Sequence, residues 1–334
     1  MSDLLLALDF GGTKHSLACL KLEPARRLMA GGSNRPLEWQ AHRRIFSPHG
    51  ADAQYDLQTV FGLARELLDD QTPAAIGVSF GGPVDYLQGL VRLSHHVPGW
   101  ENIPLKQILE QDFQAPAVVD NDANVAALGE ARFGAGRGAP SLLYITVSTG
   151  VGGGWILNGE PWRGVDGMAG EIGHTVVDPQ GPACLCGKSG CVERLASGPY
   201  LAADACQILK EQPERGAILR QLAQDDLSRM TGKLLAEAAA AGDDLAWELL
   251  ERSARALGVA IGNTANLINP QTFVLGGGVT KSGERYWEVL RRTARQTALP
   301  QVHFDVLPAA LGDDAPLWGA IALALTCLEV KNES

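Results

Sequence analysis

Residues 4–22 read LLLALDFGGTKHSLACLKL: an apolar run ending on Asp9, a glycine-tipped turn at Gly11-Gly12-Thr13, and a second apolar run over 16–22. A continuous apolar run suits a strand covered on both faces, and paired glycines let the chain reverse tightly between two such strands. Residues 142–157, LLYITVSTGVGGGWIL, repeat the design, with a strand over 142–148, a glycine-rich turn over 149–154 and a return strand over 155–157. Around these hairpins, apolar residues at helical spacing predict helices over 55–70, 125–133, 200–209, 243–268 and 316–327. Short apolar runs predict further strands over 75–80, 117–120 and 272–275. Strands alternating with helices in this way predict an α/β fold.

At 334 residues the chain exceeds what one core ordinarily serves, so two domains are expected. A break near Asn121 divides a small N-terminal α/β domain, 1–121, from a larger one, 122–311. The apolar segment 312–334 is expected to cross back and complete the first domain. Hydrophobic residues at 46% and charged residues at 20% describe an ordinary globular composition. The formal charge of −10 argues against a nucleic-acid partner, whose phosphates must be met by Lys and Arg. No stretch approaches a membrane span, and MSDLLLALDF is too short for a secretory leader, so a cytoplasmic protein without a membrane partner is expected. Six cysteines, three of them clustered, fit a reducing compartment better than a disulfide framework.

The clustered cysteines lie in residues 171–193, EIGHTVVDPQGPACLCGKSGCVE. His174, Cys184, Cys186 and Cys191 give H-x9-C-x-C-x4-C, a donor set that a closed tetrahedral zinc site takes. A loop broken by Gly181, Pro182, Gly187 and Gly190 has little apolar surface to fold on, and a structural metal would supply the cross-links. Ordering that loop would also place two carboxylates, Glu171 and Glu193.

Three glycine turns each close a strand. Exposed backbone N–H groups in such turns form nests for phosphate oxygens. Asp9-Phe10-Gly11-Gly12-Thr13-Lys14 pairs an acid suited to magnesium with a hydroxyl and a lysine suited to phosphate. Ser148-Thr149-Gly150 offers a second nest with two hydroxyls, and Gly276-Gly277-Gly278 leaves bare backbone for a flat ring. No Walker GxxxxGK[ST] run is present, and the dinucleotide fingerprint fits poorly because GVGGG opens a strand.

In LALDFGGTK, VVDNDANVAALGE, TVSTGVGGG, EIGH, CLCGKSGCVE and FVLGGGV the chain resembles the ROK family of sugar kinases and repressors, within the actin-like ATPase fold. The resemblance implies two ribonuclease H-like α/β domains with a cleft between them, the larger carrying the zinc loop and dimerisation helices. It implies two phosphate loops, contributed by Asp9, Gly11, Gly12, Thr13 and Lys14 and by Ser148, Thr149 and Gly150, with Gly276, Gly277 and Gly278 against the adenosine. Zinc ligands are implied at His174, Cys184, Cys186 and Cys191. Sugar ligands are implied at Gly82, Asn121, Asp122, Glu171, His174 and Glu193, with Asp122 as catalytic base. Small-molecule sugar and ATP, with Mg2+ and structural Zn2+, are the expected ligands, and a homodimer or homotetramer the expected assembly.

The residues at these positions have the chemistry that the mapping requires. Transfer of a phosphoryl group to an alcohol needs a positioned proton acceptor and charge neutralisation on the phosphates. Asp122, at the end of a strand, suits the first role; its competing structural role is to cap the following helix. Glucose, phosphorylated on its 6-hydroxyl, is the expected substrate, with N-acetylmannosamine or N-acetylglucosamine the alternative. His95, His96 and Trp100 are bulky and are expected to fill the space beside C2 that an acetamido group needs, although an isolated tryptophan before a helix, as Trp100 is, more often packs than lines a site. Relative to the family, Gly81 stands where proline is common, and His95 and His96 where asparagine is frequent. Repressors of the family carry a winged helix ahead of the DxGGT strand, where this sequence has only Met1-Ser2-Asp3, so the kinase branch is expected. A non-catalytic sugar sensor would leave the zinc loop and its carboxylates without a purpose.

Overall fold

A computed structural model describes residues 3–12, 14–30, 38–94 and 96–333. The chain forms two compact units. Unit 1 comprises the residues up to Pro140, Gly154–Ala169 and the residues from Ala310 onward; unit 2 comprises Ser141–Gly153 and Gly170–Ala309. The division falls after Pro140 rather than after Asn121, because the helix that follows Asn121 packs on unit 1's own elements.

Unit 1 is built on a sheet of β1 (Leu4–Phe10), β2 (Lys14–Lys21), β3 (Ala41–Phe46), β4 (Ala75–Phe80) and β7 (Ala117–Asn121), in the order β3-β2-β1-β4-β7. A short ribbon of β5 (Val84–Asp85) and β6 (Leu90–Val91) stands outside it. The first three strands form an antiparallel meander, while β1, β4 and β7 run parallel. Parallel neighbours need crossovers, which α2 (Ala53–Leu68) and α3 (Leu105–Phe113) supply; α1 (Leu22–Met29) follows β2. All seven residues of β1 are buried. Alternation along the strand sends Leu4, Leu6, Leu8 and Phe10 into a core with Val60, Phe61, Leu68, Leu105, Leu109 and Phe113.

The opposite face is covered by α4 (Asp122–Phe133) and α11 (Ala315–Glu333), which pack on each other and, in the case of α11, on β1 and β4. Glycines set how closely they approach. A methyl group on Gly77 of β4 would lie 1.8 Å from the Ala320 carbonyl oxygen, and one on Gly319 would lie 1.7 Å from that of Val125. No helix among the described residues is long and apolar enough to cross a membrane, and the apolar character of α11 is accounted for by burial in unit 1.

A second sheet, in the order β10-β9-β8-β11-β12, repeats the plan of the first. Its strands are β8 (Ser141–Val147), β9 (Val151–Leu157), β10 (Glu160–Trp162), β11 (Thr272–Gly276) and β12 (Asp305–Pro308), with β8, β11 and β12 parallel. In unit 2, α5 (Val192–Ala196), α6 (Gly198–Glu211), α7 (Ala217–Ala223) and α8 (Gly232–Ala240) precede the long α9 (Asp244–Ile268), on which α10 (Glu284–Thr297) packs. The expected turn over 149–154 is shorter than the sequence suggests: only 148–150 turn, and Val151–Gly154 already belong to β9. Two of the glycines there serve close backbone approach, Gly153 lying against the Gly170 carbonyl and Gly154 against that of Ala123.

The α4–α11 crossing yields a stability prediction. Alanine is favoured over glycine in a helix by up to ~1 kcal/mol, but at Gly319 its methyl would have to displace the backbone of α4. Gly319→Ala should therefore lower the unfolding free energy by about 1–3 kcal/mol in urea titrations. Unchanged or raised stability would contradict the backbone contact.

Candidate functional site

In unit 1 the candidate residues gather where β1, β4 and β7 end. Asp9, the penultimate residue of β1, is buried, and its Oδ1 accepts a 2.8 Å hydrogen bond from Ser79 Oγ of β4. Burial raises its pKa above the usual carboxylate range, against the opposing effects of Ser79 and of Lys14, which opens β2. Gly11 N–H closes the turn onto the Lys14 carbonyl at 3.0 Å. At Gly12 a side chain would run into the His96 ring, 2.8 Å from its Cβ position. Thr13 lies outside the described residues.

At the end of β7, Asn121 rather than Asp122 caps α4: its side-chain oxygen accepts from Ala123 N–H at 3.0 Å. Asn121 Nδ2 also donates to the Gly82 carbonyl at 3.1 Å, which ties the 81–83 turn between β4 and β5 to the end of β7. Asp122 is the first residue of the helix and half-buried, its Oδ1 sharing the Ala123 N–H at 2.8 Å. Burial, then the negative charge of Asp9, push its pKa up to about 6. Such a carboxylate sits near the proton affinity a general base needs at neutral pH.

In unit 2, the turn between β8 and β9 leaves the Ser148 and Thr149 side chains exposed, with Ser148 N–H donating to the Gly150 carbonyl at 2.9 Å. Glu193, on α5, reaches this turn: its Oε2 accepts the Val151 N–H at 2.9 Å and stands 2.7 Å from where a Gly150 Cβ would be. The sequence offered no sign of this contact, since the partners are 42 residues apart. Gly276 ends β11, and Gly277 has φ +94° with Val147 backbone 2.3 Å from its Cβ position, a place only glycine fits. Gly278 is exposed, with open space around it.

His174, Cys184, Cys186 and Cys191 come together, with one potential ligand atom from each within 4.8 Å of all the others. Cys186 Sγ and Cys191 Sγ are 3.5 Å apart, near the ~3.8 Å spacing that follows from tetrahedral ~2.3 Å zinc–sulfur bonds. His174 Nδ1 is buried with no hydrogen-bond partner, while its Nε2 stands 4.0 Å from Glu171. An orphaned ring nitrogen beside three thiols is a fit for a thiophilic ion. Tyr200 Oη accepts the Leu185 N–H at 3.1 Å and ties the cysteine loop to α6. Trp100, expected to pack more than to line the sugar site, is packed in the core between Phe10 and Phe80 and 1% exposed, its Nε1 directed to Asp56. His95 lies outside the described residues.

The raised pKa of Asp122 makes a linkage prediction. The folded protein holds this proton up to about pH 6, whereas the unfolded chain releases it near 3.8, so stability falls as pH rises through that window. Asp122→Asn removes the cost. In metal-free protein it should be more stable than the parent at pH 8, with the gain vanishing below pH ~4; a pH-independent difference would exclude the titration as its cause.

Comparison with known proteins gives the family. The ROK family pattern matches residues 52–327. The chain is 41% identical to a glucokinase of Halalkalibacterium halodurans over 251 residues, 73% of this chain and 74% of that one. It is 32% identical to an N-acetylmannosamine kinase of Escherichia coli O7:K1 over 96% of this chain and 98% of the relative. The structure superposes on a ROK family glucokinase from Streptomyces griseus, solved in complex with glucose and AMPPNP, with TM-score 0.79 and 33% identity, covering 97% of this chain and 99% of that one. The chain therefore belongs to the ROK family and carries its two α/β units of the actin-like ATPase fold.

Proposed function

We propose that this ATP-dependent sugar kinase transfers the γ-phosphate of ATP to the 6-hydroxyl of glucose, with Asp122 as the general base. The observation that carries the reading is Asp122 itself, a carboxylate at the first turn of α4 with its pKa lifted to about 6 beside the charge of Asp9. As the 6-oxygen attacks the γ-phosphorus, Asp122 takes the hydroxyl proton and the bond to the leaving ADP oxygen breaks. Gly82, Asn121, Glu171, His174 and Glu193 are proposed to meet the sugar hydroxyls. Glu193 would do so with the oxygen not committed to Val151.

Asp9 is proposed to hold Mg2+, directly or through water, since a buried carboxylate with a raised pKa gains most from a nearby cation. The ion supplies charge neutralisation on the phosphates. Gly11, Gly12, Thr13 and Lys14, and Ser148, Thr149 and Gly150, would contact the phosphates; Gly276, Gly277 and Gly278 would lie against the adenosine. His174, Cys184, Cys186 and Cys191 would hold a structural Zn2+, which supplies cross-linking and fixes the imidazole with Nε2 free to donate.

Glucose is favoured by the 41% identity to the glucokinase of H. halodurans, and N-acetylmannosamine is the second reading because the E. coli relative matches over 96% of this chain. With Trp100 in the core, the bulk expected beside C2 is reduced, and the choice rests on measurement. In a coupled assay at fixed ATP and magnesium, kcat/KM should be highest for glucose among glucose, mannose, N-acetylglucosamine and N-acetylmannosamine. A tenfold preference for either acetylated sugar would transfer the assignment to the second reading.

Asp122→Asn should fold, bind glucose and lose at least ~100-fold in kcat, the usual cost of a missing general base. Near-normal turnover would remove Asp122 from that role. Cys186→Ser should lower both bound zinc, measured by elemental analysis, and the Tm, because metal binding here is part of folding. Full metal content with unchanged Tm would show that the loop orders without the ion.

A further inference from the structure

We propose that Arg163 and Asp120 form a buried charge pair that positions Asn121 and Asp122, making Arg163 a positioning residue for phosphoryl transfer. The inference rests on the reading of Asp122 as base, and its residues all lie in unit 1.

Arg163 Nε and Nη2 each lie 2.7 Å from Asp120 Oδ2, and the two side chains are 18% and 2% exposed. The guanidinium carbon sits 3.4 Å from the centroid of the Tyr86 ring, and Nη1 donates to the Pro161 carbonyl at 3.3 Å. Stacked on one face, hydrogen-bonded through Nε and Nη1 and ion-paired through Nη2, the side chain is held against the carboxylate. Asp120's other oxygen, Oδ1, accepts the Asn121 backbone N–H at 2.8 Å and Asn124 Nδ2 at 3.3 Å. The carboxylate thus bridges the arginine to the backbone between β7 and α4. From there Asn121 continues the chain of bonds, to Gly82 on one side and to Ala123 N–H on the other.

A strand that needed only packing would be served as well by apolar side chains of similar volume, because the desolvation of two buried charges offsets most of their attraction. What the pair adds is direction. A carboxylate can accept from Arg163, Asn121 and Asn124 at once, and the fork geometry of the guanidinium fixes where its oxygens point. Lysine, a single point charge, cannot reproduce the fork or the stack on Tyr86.

The test uses the full-length protein with glucose and ATP. Arg163→Lys should lower kcat about tenfold and weaken glucose affinity, measured by calorimetry without nucleotide, while KM for ATP stays within about twofold. Arg163→Met with Asp120→Asn should be non-additive, the double variant losing no more kcat than the worse single variant. Wild-type kcat and glucose affinity in Arg163→Lys, or additive losses in the cycle, would overturn the proposal. So would an equal loss of glucose and ATP affinity accompanied by a fallen Tm, which marks general loosening. Failure of the base assignment shows separately, as turnover retained in Asp122→Asn; the calorimetric effect of Arg163→Lys on glucose does not depend on that result.

Discussion

Three carboxylates, Asp9, Asp120 and Asp122, stand within a few residues of the ends of two strands in one sheet, where burial works against their charge. How each is compensated decides what it can do. Asp120 has an arginine, two hydrogen-bond donors and almost no water, so it is fixed in place as a structural anion. Asp9 has a serine hydroxyl and a lysine in its field, too little to return its pKa to the usual range. Asp122 has neighbouring amides, among them the Ala123 N–H it shares with Asn121, and the repelling charge of Asp9, but no cation. Burial raises all three, and Asp122, with the charge of Asp9 adding to burial, is pushed up to about 6.

The sheet orders β3-β2-β1-β4-β7 and β10-β9-β8-β11-β12 are the same pattern built twice. That repetition was legible in the amino-acid sequence, because both hairpins are apolar runs joined by small residues and closed by polar ones. Strands buried on both faces announce themselves through composition alone, which is why β1, β4, β7, β8 and β11 were anticipated nearly residue for residue. The edge strand β3, with two arginines and a histidine in AHRRIF, carries no such mark and went unrecognised. The glycines of β9 misled in the opposite direction: they read as turn but answer to backbone crowding from Gly170 and Ala123.

The same contrast holds within the candidate site. Residues whose role follows from chemical type and local spacing, such as the histidine and three cysteines, were visible. Roles that depend on a distant partner were not. Asp120 and Arg163 are 43 residues apart, and Glu193 and Val151 are 42 apart, and neither separation corresponds to a local pattern. The exchange of roles between Asn121 and Asp122 at the head of α4 turns on one backbone dihedral, since Asn121 keeps extended geometry while Asp122 already has helical geometry. At Trp100 the sequence leaves two roles open, and packing, the more frequent one, is what the fold uses. An aromatic side chain beside a substrate loop looks the same in sequence whether it faces a ligand or, as here, Phe10 and Phe80.

The seating of α11 on β1 and β4 has a bearing on how the chain is made. Synthesis delivers β1, β2, β3, β4, β7 and α4 first, yet the helix that covers their second face emerges only after all of unit 2. A nascent chain with residues 1–140 outside the ribosome therefore presents Leu5, Ala7 and Gly77 without their cover, an apolar face of the kind that chaperones bind. Unit 2, by contrast, has its whole sequence in hand by Ala309. Closure of unit 1 around β1 and β4 then depends on a helix that follows unit 2 in the chain.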